Sequence, residues 1–305
     1  MKEEIRKKIL EAGASAVGFA KSGAPSSQVI QNFEKWIENE MHGDMAYLQR
    51  HIPLRSHTDN VLPGSKTIIS IAFSYVPLKY REENLPAIAC YAYGEDYHDV
   101  IRKKLNPLIN KFKEIYGGEW RICIDSAPVE ERYWAVKSGI AKRGINGNVI
   151  VEACGSLCFL AEILTTLEID PDREKSGKCI GCGKCIEICP AGAITGDGTI
   201  DARLCINYIS IEKKGELSED EKFLMRKGKG TLYGCDRCLL ICPHNQSVLP
   251  SSINEFKAKE FIIDFTLEKA LLISEEEFNE KFKKSSLKRA GYAGIKRNAE
   301  AIKKL

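Results

Sequence analysis

Eight of the twelve cysteines lie within residues 179–242, and seven of them form two blocks with iron–sulfur spacing. The first block, residues 179–190, reads C-x2-C-x2-C-x3-C-P. In this pattern three thiolates hold one [4Fe-4S] cluster and the fourth reaches a second cluster. The second block, residues 235–243, repeats the spacing, but Leu232 stands where its first ligand would be. The sequence therefore predicts two clusters, with one thiolate still to be found.

Cys205 is the only cysteine between the two blocks, and we assign it the vacant ligand position. The bacterial ferredoxin pattern then divides the eight thiolates into two sets of four. The predicted sets are Cys179, Cys182, Cys185 and Cys242 for one cluster, and Cys189, Cys205, Cys235 and Cys238 for the other.

Two zinc knuckles or a disulfide framework are the alternatives for these cysteines. Zinc sites usually pair two C-x2-C knuckles, whereas the first block here has three cysteines at two-residue gaps followed by C-x3-C-P. Gly181 and Gly183 allow the loop to wrap closely around a cluster, and the prolines that follow each block turn the chain away. Both features favour clusters. The four remaining cysteines, Cys90, Cys123, Cys154 and Cys158, have apolar neighbours and are predicted to be buried thiols.

The composition is that of a soluble globular protein, with 44% hydrophobic and 29% charged residues. The chain begins with a charged amphipathic segment, and no apolar run approaches the ~18 residues of a membrane span. We therefore expect a cytoplasmic protein without membrane contact, in a reducing compartment that suits thiolate ligands. A net charge of +3 is too small to indicate a partner.

Strands and helices alternate along the first 172 residues, which predicts an α/β layer architecture. We expect helices at 3–12, with Ile5, Ile9 and Leu10 on one face, and then at 29–40, 97–116 and 129–138. The predicted strands are 16–20, 67–75, 87–93, 120–125, 149–151 and 158–165, and the apolar strand 67–75 should lie at the sheet centre. Residues 170–177 are a hydrophilic linker, and helices are expected again at 267–272 and 275–282.

Asp125 is the candidate acid, because it follows a predicted strand and precedes a Ser-Ala-Pro turn. Burial would raise its pKa and keep a proton available near neutral pH. The alternative is that Asp125 only caps the helix that begins near residue 129. His98, at a helix start, is interpreted as a structural histidine and not as a metal ligand. Lys213 and Lys214 are candidate RNA contacts, and the basic tail 281–305 is either a solvated helix face or a phosphate-contacting surface.

The chain resembles the epoxyqueuosine reductases, which are cobalamin-dependent iron–sulfur enzymes that complete queuosine at the tRNA wobble position. The resemblance extends over nearly the whole chain. The motifs that carry it, besides the cysteines, are Gly43-Asp-Met-Ala-Tyr-Leu with Arg55, Tyr93-Gly-Glu-Asp-Tyr-His98, Asp125-Ser-Ala-Pro-Val-Glu-Glu-Arg, Gly155-Ser-Leu-Cys-Phe-Leu-Ala-Glu-Ile-Leu, Leu204-Cys-Ile-Asn-Tyr and Gly234-Cys-Asp-Arg-Cys.

The resemblance implies cobalamin and two [4Fe-4S] clusters as cofactors, and a tRNA anticodon stem-loop as partner. It implies that Asp125 is the catalytic acid and also contacts the cofactor. The other implied cofactor contacts are Arg55, Asn146, Asn207, Cys235 and Asp236. The expected reaction is reductive removal of the epoxide oxygen of epoxyqueuosine, with electrons from an external low-potential donor. Cobalamin carries the chemistry that clusters cannot perform on carbon.

One segment departs from the family pattern. Where the family typically reads Ala-Gly-Leu-Gly-Trp-Ile-Gly-Lys-Asn, residues 138–146 carry Lys142 in place of the tryptophan and Ile145 in place of the lysine. The alternative function is therefore a corrinoid iron–sulfur reductase of another substrate, possibly a small molecule, as in the reductive dehalogenases. A ferredoxin-like electron carrier fused to a structural domain is the third hypothesis.

The expected fold is thus a layered α/β corrinoid-binding domain, a bacterial-ferredoxin-like two-cluster module and a helical C-terminal tail. We place these parts at 1–172, 173–250 and 251–305, with the basic tail packing back on the core. We expect a monomer.

Overall fold

The computed structural model describes residues 1–175, 177 and 179–303. Ser176 of the predicted linker and Lys304 of the basic tail lie outside them. The strands of the described residues are β1 (Ala16–Lys21), β2 (Thr67–Ser74), β3 (Ala87–Ile88), β4 (Trp120–Cys123), β5 (Ala141–Arg143), β6 (Val149–Val151), β7 (Cys158–Thr165) and β8 (Thr231–Tyr233).

The helices fall into two series, before and after the cysteine-rich segment begins. The first series is α1 (Lys2–Glu11), α2 (Ser27–Glu38), α3 (Tyr47–Arg50), α4 (Ile52–Arg55), α5 (Tyr97–Tyr116) and α6 (Glu131–Lys137). The second is α7 (Lys184–Glu187), α8 (Ile206–Ile211), α9 (Glu219–Lys227), α10 (Arg237–Leu240), α11 (Glu260–Ile263), α12 (Leu267–Leu272), α13 (Glu275–Lys281) and α14 (Gly291–Ile302). Short 3-10 turns span Thr58–Asn60, Cys90–Ala92, Pro243–Asn245, Asn254–Phe256 and Ser286–Arg289.

A four-stranded antiparallel sheet of order β1-β2-β7-β4 is the centre of the fold. All eight residues of β2 are buried, and β2 lies inside the sheet, as its apolar sequence predicts. Alternate residues of β2 pack into different clusters, because side chains alternate between the two faces of a strand. Ile69, Ile71 and Phe73 pack in the cluster that includes α1 and α5, whereas Ile68 packs with Trp134 of α6. Helices therefore cover both faces, which gives a mixed α/β fold.

Most of the predicted elements are present, with two corrections. Residues 87–93 form only the two-residue strand β3, because Asp236 accepts the amide of Cys90 and the chain turns into a 3-10 helix there. Leu10 was expected on the buried face of α1, but 41% of it is exposed, whereas Ile5 and Ile9 are fully buried.

Asp96 caps α5, since its side chain accepts the amide of His98. The helix ends at Gly117, which takes the left-handed φ of +68° that glycine tolerates best.

One hydrophobic cluster links the beginning, middle and end of the chain. It contains Ile5 of α1, Ile206 of α8, Leu232 of β8 and Ile295 of α14. The linker is also attached, because the Asp172 carboxylate binds Lys2 and Arg6 and accepts the amide of Phe19 in β1. Asn298 of α14 contacts the core, because its side-chain amide donates to the carbonyls of Ser210 and Leu232. Within the described residues, no helix is both long and apolar enough to cross a membrane.

Candidate iron–sulfur and proton-transfer site

The first set of cysteines lines a single cavity. Cys179, Cys182, Cys185 and Cys242 all lie in its wall, together with Asn146. Burial first, and then the neighbouring sulfurs of Cys179 and Cys182, raise the pKa of both Cys185 and Cys242. Four soft thiol donors around one cavity suit an iron–sulfur cluster. The structure thus brings together the set that the spacing predicts, although Cys242 lies about 60 residues along the chain from the other three cysteines.

The second set gathers at the starts of α8 and α10. Burial, and then the sulfurs of Cys205 and Cys189 among other neighbours, raise the pKa of Cys235 to about 12. The same two sulfurs add to the rise in the pKa of Cys238, in which burial is again the largest cause. Cys205, at the N-cap of α8, is close enough to Cys235 and Cys238 to raise the pKa of both, so it stands with the thiols of the second block. Leu232 is a fully buried residue of β8, in the hydrophobic cluster against which Cys205, Cys235 and Cys238 pack.

Among the described residues, no three His, Cys, Asp or Glu side chains converge closely enough for a single metal ion. A four-iron cluster spreads its four thiolates farther apart than one tetrahedral zinc does. The two sets also differ in the exposure of their cysteines. Cys182 of the first set is exposed, whereas no member of the second set is.

Asp125 lies in the turn after β4, with its backbone in the left-handed region at a φ of +47°. Its side chain is 61% exposed. The hydroxyl of Tyr97 donates to its Oδ2 over 2.9 Å, and His98 Nε2 lies 3.4 Å from the same oxygen. His98 is fixed from its other side, because Nδ1 lies 2.9 Å from Oδ1 of Asp96. The first turn of α5 therefore delivers a tyrosine and a histidine to the strand-end carboxylate.

The proton of this site rests on His98 and not on Asp125. Burial lowers the pKa of His98, but hydrogen bonds with Asp125 and Asp96 outweigh it and raise the pKa to about 9. For Asp125, burial raises the pKa, but hydrogen bonds from His98 and Tyr97 outweigh it and lower the pKa. Near neutral pH the pair is therefore an imidazolium beside a carboxylate.

One expectation for these residues was wrong. We expected burial to raise the pKa of Asp125, but its hydrogen-bond donors dominate and lower it. The interpretation of His98 as a structural histidine and not a metal ligand stays a prediction, and the structure adds that its Nε2 lies 3.4 Å from Asp125 Oδ2. The helix-capping alternative for Asp125 also fails, since the residue at the N-cap of α6 is Glu130. The available signal for His98 was its position in the first turn of α5, two residues after the capping Asp96.

The predicted cofactor contacts lie in several places. Arg55, at the end of α4, is mostly buried and donates to the carbonyl of Val129 and to the Glu130 carboxylate. Asp236 is buried between Cys235 and the amide of Cys90, and burial raises its pKa. Asn207 has an exposed side chain in α8, two residues after Cys205. Asn146 lines the first cysteine cavity and accepts the amide of Asn148.

The predicted RNA contacts differ from one another. Lys213 is already paired, with its Nζ 3.7 Å from Asp44 and 3.6 Å from Glu221, whereas Lys214 has an exposed side chain. Of the tail residues, Arg297 folds back, since its guanidinium donates to the carbonyls of Ile209, Lys213 and Gly215. Arg289 forms a bidentate pair with Glu212.

The segment that departs from the family pattern lies beside the first cysteine set. Ile145 lines the cavity of that set, and Lys142 lies in β5 close to Gly177. Ile145 therefore lies at the candidate cluster, whereas Lys142 lies beside the segment that leads into it.

These features define a class of protein: an oxidoreductase with an iron–sulfur segment on a mixed α/β core and an ion-paired carboxylate at a strand end. Two family models match the chain. The model described as "Epoxyqueuosine reductase QueG, DUF1730" covers residues 55–126, and the model described as "4Fe-4S double cluster binding domain" covers residues 178–245.

Similar proteins extend these matches to the whole chain. The epoxyqueuosine reductase of Cyclobacterium marinum is 35% identical over 310 residues, which are 98% of this chain and 97% of that protein. The Escherichia coli epoxyqueuosine reductase is 31% identical over 303 residues, 97% of this chain and 79% of that protein. A solved structure of epoxyqueuosine reductase with an epoxyqueuosine-modified tRNA-Tyr stem loop superposes with a TM-score of 0.89. Its sequence identity is 27%, with 99% of this chain and 80% of that chain covered. The chain belongs to the epoxyqueuosine reductase family.

Proposed function

We propose that this protein removes the epoxide oxygen of epoxyqueuosine in tRNA to give queuosine. One observation carries the proposal. This chain, which matches an epoxyqueuosine reductase along 98% of its length, has two four-cysteine sets and an ion-paired Asp125–His98 couple. Conversion of the epoxide to an alkene and water requires two electrons and two protons. The two cysteine sets are suited to hold clusters that transfer the electrons, and the Asp125–His98 couple is suited to supply a proton.

The two cysteine sets are proposed to hold [4Fe-4S] clusters that act in series. The first set contains the exposed Cys182 and faces the surface, so we assign it the role of accepting electrons from an external low-potential donor. No member of the second set is exposed, and Cys235 adjoins the buried Asp236. Electrons would therefore pass from the surface set to the inner set.

The second cofactor of the proposal is cobalamin, whose reduced cobalt would supply the carbon-directed nucleophile that iron–sulfur clusters lack. The corrin ring carries amide side chains, which need both hydrogen-bond donors and acceptors. The residues proposed to hold it offer both, since Arg55 and Asn207 can donate and Asp236 and Asn207 can accept. Arg55 also has a buried Nε without a hydrogen-bond partner among the described residues. These donors and acceptors are of the kinds that a corrinoid requires.

Asp125 and His98 are proposed to protonate the departing oxygen. The Asp125 carboxylate is exposed and can face a bound nucleoside, while the imidazolium behind it holds the proton. Tyr97 is a neutral donor, since burial and the Asp125 charge raise its pKa far above the ordinary value. It keeps the carboxylate oriented, and its ring stacks on Phe159 at a centroid distance of 4.3 Å. The proton would pass from His98 through Asp125 to the oxygen.

The substrate is proposed to be a tRNA anticodon stem-loop, as in the similar protein whose structure contains such a loop. Lys213 and Lys214 are proposed to contact it, and the exposed Lys214 is the better placed of the two. We further propose the division into parts at 1–172, 173–250 and 251–305, the corrinoid-binding layering of the first part, a monomeric state and a cytoplasmic location.

Mass spectrometry of tRNA nucleosides tests the proposal in cells. A strain that lacks this protein should accumulate epoxyqueuosine and lose queuosine, and the gene supplied on a plasmid should restore queuosine. Supplying the Asp125→Asn variant at equal abundance should leave epoxyqueuosine in place. Normal queuosine in the deletion strain, with no second epoxyqueuosine reductase encoded in its genome, would refute the proposed function.

A further inference from the structure

The 3-10 turn Ser286–Arg289 of the basic tail is anchored to the core along its length. Leu287 is fully buried in the main hydrophobic cluster, and the carbonyl at the start of the turn accepts the hydroxyl of Tyr233 over 2.6 Å. The arginine at the end of the turn forms an ion pair with Glu212. The backbone on both sides of Lys288 is therefore held in place, although the Lys288 side chain itself is half exposed.

Lys288 binds the carboxylate that holds His98. Its Nζ lies 2.9 Å from Oδ2 of Asp96, whose side chain is only 7% exposed. The other oxygen, Oδ1, accepts the backbone amide of His98 over 3.0 Å and lies 2.9 Å from His98 Nδ1. The tail also holds the backbone of Asp96, because the Asp96 amide donates to the carbonyl of Lys284 over 2.7 Å. The tail therefore contacts Asp96 at both its backbone and its side chain.

An ordinary surface ion pair is the alternative interpretation of Lys288 and Asp96. Exposed pairs contribute little, because water screens both charges. In this pair only the lysine is exposed, and a buried carboxylate that loses a donor is costly. Burial raises the pKa of Asp96, but hydrogen bonds with His98 and Lys288 outweigh it and lower the pKa. Asp96 is thus held as a carboxylate, so it accepts from His98 Nδ1 and leaves Nε2 for Asp125.

Contacts of 2.9, 2.9 and 3.4 Å connect four side chains in one row, in the order Lys288, Asp96, His98 and Asp125. We propose that Asp96 and Lys288 are positioning residues for the proton transfer, in which Asp96 orients His98 and Lys288 keeps Asp96 in place as a carboxylate. This inference rests on the proposed function. It gives the 3-10 turn of the basic tail a role in holding the reaction site, and not in contact with phosphate.

One proton passes along this row in each turnover, and no electron does. The imidazolium gives its Nε2 proton to Asp125, which passes a proton to the departing oxygen, so His98 ends neutral and Asp125 ends as a carboxylate again. The Nδ1 proton stays with Asp96, whose charge does not change. Both C–O bonds of the epoxide oxygen break, two electrons from the external donor form the alkene, and the oxygen leaves as water with its second proton from solvent. Solvent then returns the proton to Nε2.

The pKa of His98, measured by NMR of histidine-labelled holoprotein, tests these contacts without substrate. His98 faces Asp96 and Asp125 directly, and the ring of Tyr97 stacks on it. Other charged groups act on Lys288 or on Asp125 from the neighbouring elements, and the variants below leave them unchanged: Asp99, Glu131, Arg132 and Arg289.

The two variants should move this pKa in opposite directions. Asp96→Asn keeps an oxygen that can cap α5 and removes the charge, so the pKa of His98 should fall from about 9 by roughly 1–3 units. Lys288→Gln removes the cation that shares Asp96 with His98, so the pKa should rise, by roughly half a unit with the screening of water. Lys283→Gln, which removes an exposed charge of the same tail, is the matched control and should leave the pKa at about 9.

The single-turnover rate on an epoxyqueuosine stem-loop is the second readout. The proton is present below the pKa of His98 and lost above it, so the rate should fall as pH rises through about 9 in the wild type. The fall should come at lower pH in Asp96→Asn and at slightly higher pH in Lys288→Gln. Stem-loop affinity should be the same in Lys288→Gln and Lys283→Gln.

A pKa of His98 that Lys288→Gln leaves unchanged would overturn the inference, and Lys288 is exposed enough for this test to hold even if Asp96→Asn fails to fold. A loss of stem-loop affinity confined to Lys288→Gln, with that pKa unchanged, would assign Lys288 to phosphate contact instead. A pKa that Asp96→Asn leaves unchanged would overturn the role of Asp96. A wild type that converts no stem-loop refutes the proposed function, and the pKa of His98 distinguishes that failure from a failure of the positioning contacts.

Discussion

The pairing of His98 with Asp125 makes a direct prediction about the pKa of the histidine. In the wild type the two atoms His98 Nε2 and Asp125 Oδ2 are 3.4 Å apart. Asp125→Asn keeps the shape of the side chain and removes its negative charge. The imidazolium then loses one of its two carboxylate partners and keeps the other, Asp96. The pKa of His98 should therefore fall from about 9 without reaching the ordinary value of 6.5.

The size of the fall follows from Coulomb's law. At 3.4 Å two unit charges attract by about 1 kcal/mol with the screening of water, and by about 5 kcal/mol with that of a protein surface. Because 61% of the Asp125 side chain is exposed, the weaker value applies. About 1.4 kcal/mol corresponds to one pH unit, so the pKa of His98 should fall by about one unit.

NMR of histidine-labelled holoprotein measures this pKa directly. The chain has five histidines, and His98→Gln identifies the resonance of interest by its loss. In the wild type the imidazole should stay charged to about pH 9, and in Asp125→Asn it should lose its proton about one unit lower. His57→Gln, at a histidine elsewhere in the chain, should leave the curve unchanged. A wild-type pKa near 6.5, or one that Asp125→Asn leaves unchanged, would refute the ion pair.

Three further predictions concern the clusters, the RNA and the acid. Cys205→Ser should reduce iron from about eight to about four per chain in anaerobically reconstituted protein, while Cys158→Ser keeps about eight; equal iron in both would show that Cys205 is not a ligand. Lys214→Glu should weaken binding of the tRNA stem-loop at low salt more than Lys213→Glu does, because Lys213 already has two carboxylate partners; a larger loss in Lys213→Glu would contradict this. Asp125→Asn should lower single-turnover reduction by ~10²–10⁴-fold at unchanged iron and cobalamin content, and a rate within about threefold of wild type would remove Asp125 as the acid.

Local patterns in the sequence predicted most of the elements correctly. The helical period of the apolar residues predicted α5, and a run of β-branched residues predicted β2 inside the sheet. Both patterns arise because the apolar side chains of these elements are buried. The strand expected at 87–93 failed for a long-range reason. Asp236, far along the chain, takes the amide of Cys90 that a longer strand would have used.

The candidate site also has a part that follows from local sequence patterns and a part that depends on long-range contacts. Cysteine spacing predicted seven of the eight proposed ligands, since ligands of one cluster follow a fixed local pattern, and Cys205 was added as the only cysteine between the blocks. The charge state of Asp125 could not be predicted from local spacing, because it depends on contacts with His98 and Tyr97, which belong to α5. Nor could the sequence predict that Glu162 of β7 is buried without a hydrogen-bond partner among the described residues. A single glutamate in an apolar strand becomes informative only when its neighbours are known to leave it without a partner.

Conversion of a defined RNA by the purified protein tests the central claim most directly. Holoprotein with about eight irons and one cobalamin per chain is reduced anaerobically and mixed with an epoxyqueuosine anticodon stem-loop, and the nucleosides are identified by mass spectrometry. The proposed function predicts queuosine in an amount equal to the loaded enzyme in a single turnover, with none from Asp125→Asn on the same timescale. Unaltered epoxyqueuosine with the fully loaded, reduced wild type would contradict it.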